Sequence, residues 1–137
     1  MREFITGYRK TQQANDEIIK SVTLPLAEDN CKVQSYKISK RKDLDISTVS
    51  GGFSITLGQD GQVTDVCLAY GGMADQIKRA AKTEAALIGK PWNRDSIEAA
   101  TNLIDEDFKP ISDARAEAEG RTVMARNLLM KFWSDTI

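Results

Sequence analysis

Apolar and polar residues alternate through much of the first half of this chain, and apolar residues recur three and four apart in the second half, so strands are expected to precede helices. Ile18, Val22, Leu24 and Leu26 fall on one side of an extended segment and Ile19, Ser21 and Thr23 on the other, until Pro25 limits ladder pairing. That pattern predicts a first strand. Residues 31–39 alternate again, with Cys31, Val33, Ser35 and Lys37 on one face and Lys32, Gln34, Tyr36 and Ile38 on the other, and a hairpin with the first strand is expected. Residues 3–10 suggest a short helical stretch or loop. Residues 40–47 are highly charged and lack either period, which predicts a loop with room for one helical turn. Phe53, Ile55 and Leu57 then alternate with Ser54 and Thr56. The Gln59-Asp60-Gly61 turn leads into residues 63–70 as a second hairpin, because Asp-Gly readily supplies positive φ.

Beyond Tyr70-Gly71-Gly72-Met73 the spacing becomes helical. Ile77, Ala80, Ala81 and Ile88 share a face of a first helix, which Gly89-Lys90-Pro91 should end with a left-handed cap and a proline. Asn93 or Asp95 can cap a second, in which Ile97, Ala100, Thr101, Ile104 and Phe108 recur up to Pro110. A third is predicted over residues 113–133, carrying Val123, Met124, Leu128, Leu129 and Phe132, with Gly120 as its weak point. The expected fold is α+β: an antiparallel sheet of three to four strands followed by three helices packed on one face. Nothing repeats and no linker divides the chain, so 1–137 reads as one domain with residues 1–15 leading in. The start carries Phe4, Ile5 and Tyr8 without a cap, and is expected to lie inside a longer chain.

Charge and chemistry narrow the functional classes. The 137 residues carry a net charge of −1, which supplies no long-range field for nucleic acid or an anionic membrane. No apolar run approaches the ~20 residues of a membrane span and no secretion signal opens the chain, so a cytoplasmic protein is expected. Histidine is absent, which removes the commonest general base and any Ser-His or Cys-His pair. Cys31 and Cys67 are expected to be buried free thiols, too few for an iron–sulfur cluster. No metal site is expected. Gly71-Gly72 lacks the spacing of a phosphate loop and reads as a structural corner. Asp43, Asp45, Asp60, Asp65, Asp105, Glu106 and Asp107 show no opposed pair for acid–base work and are expected to be mostly solvated. Trp92 and Trp133 are expected to pack. Two residues break their rows: Lys37 beside Cys31 and Val33, and Ile19 on the Ser21/Thr23 face. The alternative is that Lys37 reaches water past its strand end and Ile19 covers a helix.

The segment from Tyr36 to Ser47, reading Tyr-Lys-Ile-Ser-Lys-Arg-Lys-Asp-Leu-Asp-Ile-Ser, resembles the flavin domain of xanthine dehydrogenases within the molybdenum hydroxylase family. In the same order follow Ala69-Tyr70-Gly71-Gly72-Met73-Ala74, then Lys82-Thr83-Glu84-Ala85-Ala86-Leu87 with Gly89 and Trp92, and Ala125-Arg126-Asn127-Leu128-Leu129 with Phe132-Trp133. The likeness spans nearly the whole chain and is nearest to the separate small subunit of bacterial enzymes. It implies the C-terminal part of an FAD-binding domain, inactive by itself. In the complete enzyme, electrons from purine hydroxylation at molybdopterin would pass through iron–sulfur clusters to FAD and on to NAD. The implied partners are the preceding part of the FAD domain, an iron–sulfur domain and a molybdenum-binding subunit. Ile19 and Lys37 match the family's FAD-contacting positions, and no catalytic or metal residue is implied here. Residues 38–47 match a loop beside the flavin, where Leu44 stands at a position that animal relatives fill with an acid. Gly120 replaces an aromatic residue usual before Arg121. Competing readings are a non-catalytic interaction module of the same fold, or the flavoprotein piece of a relative that oxidises carbon monoxide, aldehydes or nicotinate.

Overall fold

The computed structural model describes residues 4–42 and 44–137. A two-stranded ribbon, β1 (Ile5–Gly7) and β2 (Lys10–Thr11), comes first, followed by β3 (Cys31–Ile38), β4 (Val49–Leu57), β5 (Val63–Gly71), β6 (Lys78–Arg79) and helices α1 (Ala81–Leu87), α2 (Arg94–Thr101), α3 (Ile104–Asp107) and α4 (Ala118–Thr136). Strands β3 to β6 form one antiparallel sheet in sequence order, and the helices cover one of its faces. The α+β class and the order of sheet before helices are as the sequence predicts.

One face of the sheet is apolar and the other is not. Val49, Phe53 and Ile55 of β4 and Val66, Leu68 and Tyr70 of β5 are buried against Leu87, Ile97, Ile104, Ala125, Leu128, Leu129 and Phe132 of the helices. Gly51 lies on the same inward row, and the ring of Phe53 occupies the space its side chain would take. The β4–β5 turn closes as expected, with Gly61 at φ 74° and the Asp60 carboxylate accepting from the backbone of Gln62 at 3.1 Å.

The first predicted hairpin does not form. Residues 18–26 are not a strand, and Ile18, Val22, Leu24 and Leu26 stand exposed. Alternation supplies a strand with faces but not with a partner, and β3 instead pairs with β4, from Cys31 opposite Thr56 to Ile38 opposite Val49. The fourth strand of the sheet is β6, which takes the start of the expected first helix and leaves Ile77 exposed. The described part of residues 3–10 is no helix: it forms β1, the turn at Tyr8 and Arg9 and the start of β2. The second predicted helix divides into α2 and α3, yet Ile97, Ala100, Thr101, Ile104 and Phe108 are all buried as its spacing requires. Asn93 caps α2, accepting from the Ser96 backbone at 3.0 Å. The last helix begins at Ala118 instead of about 113, because Asp113 folds residues 113–116 into a turn by accepting from the backbones of Arg115 and Ala116. Val123 is half-exposed and Gly120 faces open space.

Both cysteines are free but only half-buried, less enclosed than their alternating surroundings suggest. Burial, and then the nearby Glu84 and Asp65 carboxylates, push the Cys67 thiol up, which keeps it protonated and unreactive.

Two carboxylates that were expected on, or not singled out from, the solvated surface are structural. Asp107 is buried and accepts from the α1 backbone amides of Lys82 at 2.8 Å and Thr83 at 2.9 Å, and from the Thr83 hydroxyl at 2.7 Å. It caps α1 from a distance, since Ala80 at the cap position has no side chain to do so. Glu84 accepts from the Leu68 backbone at 2.7 Å and from Arg79, completing the short edge that β6 leaves unpaired. Asp107→Ala is expected to lower stability by about 2–3 kcal/mol, since it strands two buried amides and a hydroxyl. Urea unfolding of the two proteins measures this, and a change under about 0.5 kcal/mol would mean that water serves those donors equally well.

Candidate functional site

The uncovered face of the sheet is built from small and polar side chains. Antiparallel register places Lys37, Ser50 and Gly71 in one row, Ser35, Gly52 and Ala69 in the next, and Val33, Ser54 and Cys67 beyond. Among the described residues no helix lies over these rows. Gly52 is exposed, and a Cβ built there would meet nothing within 4 Å. The result is a shallow shelf with an ammonium group at one end.

The register places Lys37 on the outward row of β3, opposite Ser50. The inward row of β3 holds Tyr36 and Ile38, packed against the core, while Val33 and Lys37 point away from the helices. A lysine on an outward row violates no pattern. The inward row is nevertheless mixed, because at the sheet edge polar ends find partners on the last helix: the Tyr36 hydroxyl donates to Asp135 at 2.9 Å, and the Lys32 ammonium donates to the Thr136 carbonyl. Burial of the Tyr36 ring, and then its bond to Asp135, raise the pKa of that phenol well above its usual value.

Lys37 is nonetheless held. Its ammonium donates to the backbone carbonyl of Asp45 at 2.6 Å, across the charged loop that connects β3 to β4. Among its described residues the loop contains no helical turn. Its neck is closed by Thr48 N–H donating to the Ile38 carbonyl at 2.7 Å. The Asp45 carboxylate accepts from the backbone N–H of Arg41 at 3.0 Å and of Ile46 at 2.9 Å. The Arg41 amide, together with that of Ile46 and the Arg41 guanidinium, holds the Asp45 carboxyl below the ordinary carboxylate range. Leu44 sits at φ 51° and is fully exposed. Asp43, within the same loop, lies outside the described residues.

A buried arginine underpins the loop. Arg121 is 4% exposed and donates to the carbonyls of Thr48 and Gly72, the latter at 3.0 Å, and to the Asp113 carboxylate at 2.6 Å. Lys40 reaches the Ala114 carbonyl at 2.7 Å, so the β3–β4 loop and the turn before α4 are tied from both sides. The Arg115 backbone amide, and then the Arg121 side chain, lower the Asp113 pKa to about 2. A depressed carboxylate pKa stabilises the fold above the unfolded value, and this contribution is lost only as pH falls towards about 2. Arg121 had a signal in the sequence: counting back from Leu128 and Ala125 by three and four reaches it on the buried stripe of α4. Asp45 had none, because its role depends on the turn it closes.

Ile19 lies elsewhere in the described structure. It is 59% exposed and lines a shallow cavity of about 490 Å³ with Phe4, Gln12, Glu17 and Lys20. Lys37 is not among the walls of that cavity. Ile19 belongs to no strand, so it breaks no row. Gly71-Gly72 is a structural corner as expected, and the two tryptophans pack, Trp92 donating to the Thr136 hydroxyl at 3.1 Å. Among the described residues no group of three or more histidine, cysteine or carboxylate side chains is placed to hold a metal, and no helix is long and apolar enough to cross a membrane.

A four-stranded antiparallel meander with helices over one face defines an α+β domain. The chain belongs to the CO dehydrogenase flavoprotein C-terminal domain family, whose profile matches residues 34–136. It is 36% identical to xanthine dehydrogenase 1 of Arabidopsis thaliana over 96% of its length and 34% identical to a nicotinate hydroxylase of Emericella nidulans over 98%. It covers only 10% of each of those proteins. A carbon monoxide dehydrogenase of Hydrogenophaga pseudoflava superposes with a TM-score of 0.85 at 22% identity, over 95% of this chain and 45% of that one, which establishes the fold. The family and its xanthine dehydrogenase members are those that the sequence motifs resemble.

Proposed function

We propose that this chain is the closing lobe of the FAD-binding part of a xanthine dehydrogenase-type molybdenum hydroxylase, with 1–137 as one unit and residues 1–15 leading in. The observation that carries the reading is the 36% identity to a plant xanthine dehydrogenase sustained over 96% of the chain. In this reading electrons released by purine hydroxylation at molybdopterin cross iron–sulfur clusters on neighbouring domains, reach FAD and leave on NAD, all in the cytoplasm. The partners are the preceding part of the FAD domain, the iron–sulfur domain and the molybdenum subunit. A nicotinate-oxidising complex is the second reading, favoured by the 34% identity to nicotinate hydroxylase over 98% of the chain.

The residues present fit a flavin. The shelf of Ser35, Gly52 and Ala69 is bare and its side chains are short, which suits a planar ring, and Lys37 supplies a fixed positive charge at its end. Bound FAD would supply two-electron redox chemistry that no side chain here can perform. Lys37 would hold negative charge developing on the reduced ring, and Ile19 would make an apolar contact. The expected result for Lys37→Ala in the full complex is roughly a tenfold loss in the rate of NAD reduction, or loss of flavin, with purine oxidation by an artificial acceptor at the molybdenum centre intact. Stopped-flow kinetics with a flavin assay measure this. Unchanged flavin content and turnover would remove Lys37 from the site.

A further inference from the structure

We infer that the row Lys37–Ser50–Gly71–Ile77 fixes which way round a flavin ring lies on the shelf, with the Ser50 hydroxyl donating a hydrogen bond to the ring's polar end. The inference rests on the proposed place of FAD on that face, and adds to it an orientation and two residues. The register supplies the row: Lys37 stands opposite Ser50, and Ser50 opposite Gly71. β6 pairs Arg79 with Ala69 and Lys78 with Tyr70, so Ile77 comes next beside Gly71, and a Cβ built on Gly71 would lie 3.9 Å from the Ile77 Cγ1. Four neighbouring strand positions span three inter-strand spacings, about 14 Å.

The two ends of the row differ in chemistry, and both rise above its middle. Lys37 is a long cation held on the Asp45 carbonyl at 2.6 Å. Ile77 is branched, apolar and 64% exposed. Ser50 and Gly71 between them are short, so the row is a trough with an ammonium group at one end and a hydrocarbon wall at the other. The Ser50 Oγ lies over Gly71, 2.5 Å from where a Cβ would stand, so glycine at position 71 is what leaves the hydroxyl open to the shelf. A serine hydroxyl there can donate to a carbonyl oxygen or a ring nitrogen.

An isoalloxazine ring is as lopsided as the trough, with carbonyl oxygens and nitrogens at one end and methyl groups at the other. The matched arrangement places the carbonyl end over Ser50 and beside Lys37, and the methyl end against Ile77. Reversal would set carbonyl oxygens against an isoleucine side chain, where nothing donates to them, and would leave the Ser50 hydroxyl and the ammonium facing methyl groups.

The test uses the full-length flavoprotein loaded with FAD in which chlorine replaces a methyl group at the benzenoid end. A cysteine thiolate held beside that carbon displaces the halide: the S–C bond forms, chloride leaves with the electron pair, and the thiol proton passes to solvent. The shift in flavin absorbance on forming the thioether is the readout. Ile77→Cys is expected to react at least about tenfold faster than Ser50→Cys, the parent protein giving the background from its free Cys67. Ser50→Ala is expected to raise the dissociation constant of ordinary FAD about fivefold, the loss of one hydrogen bond. If Ser50→Cys fails to fold, Ile77→Cys against the parent and the Ser50→Ala affinity decide the matter. Faster reaction of Ser50→Cys would show the ring reversed and overturn the inference. Equal rates, rates no higher than the parent's, or unchanged affinity in Ser50→Ala overturn it too. Lys37→Ala separates this from the underlying reading: flavin lost there while the other variants fail leaves FAD on the shelf without this orientation. Flavin retained unchanged in Lys37→Ala as well removes the site itself.

Discussion

Phe132→Ala is expected to lower the unfolding free energy by about 3–5 kcal/mol, the range for deleting a fully buried aromatic side chain. Phe132 stands where the sheet meets α4, with ring centroids 5.5 Å from Phe53, 5.6 Å from Trp92 and 6.5 Å from Tyr36. Those neighbours come from β4, the turn before α2 and β3, so the residue joins layers that are remote in sequence. Tilted and edge-on pairs of this kind add about 0.5–1.5 kcal/mol each beyond the area they bury. The cavity cannot collapse readily, because Phe53 is already seated over Gly51 and Trp92 is tethered to Thr136 by its indole N–H. Urea unfolding followed by tryptophan fluorescence reads the effect, Trp92 being the local reporter. Phe132→Leu should recover more than half of the loss. A deficit below about 1 kcal/mol would show that helix and sheet are not coupled through this ring.

The second large effect is expected at Gly72. Its φ of 79° excludes most side chains, and a Cβ there would collide with the Thr48 carbonyl and approach the Arg121 guanidinium at 3.2 Å. Gly72→Ala therefore adds backbone strain to overpacking and is expected to destabilise by about 2–4 kcal/mol. Gly89→Ala is the control. It has a similar φ of 72° but open space around it, so it should lose only about 1 kcal/mol, the conformational part alone. Thermal unfolding of both variants separates the two contributions. Equal losses would mean that the Arg121–Thr48–Gly72 cluster yields without penalty, and that the loop above it is less firmly braced than its hydrogen bonds imply.

Much of the α+β plan was legible because one face of most elements had to be apolar. The period-two rows of β4 and β5 and the 3.6-period stripe of α4 each encode a burial direction in a few consecutive residues, and the structure buries Phe53, Ile55, Leu68, Tyr70, Leu128 and Phe132 accordingly. Local chemistry was also readable where it needs only neighbours in sequence, as in the Asn93 cap and the Asp60-Gly61 turn. The motif order of residues 36–47, 69–74, 82–92 and 125–133 pointed to the family to which the chain belongs.

What the sequence could not decide was which segments pair and what distant groups meet. Residues 18–26 alternate as well as any strand in the chain, yet they have no partner among the described residues, and two-residue β6 joins the sheet on almost no pattern at all. Pairing energy belongs to both strands, so one strand's periodicity cannot reveal it. The same holds for the polar interior. Asp107 capping α1, Glu84 finishing the edge of β5 and Arg121 gathering Thr48, Gly72 and Asp113 depend on residues many positions apart brought within hydrogen-bond reach. At the candidate site, resemblance singled out Lys37, but its outward row and its tether to Asp45 arise only once β3 lies against β4 and the loop between them closes. Periodicity is a property of neighbouring residues and can be read along the chain; a buried charge or a held lysine is defined by its partners, which only the folded structure supplies.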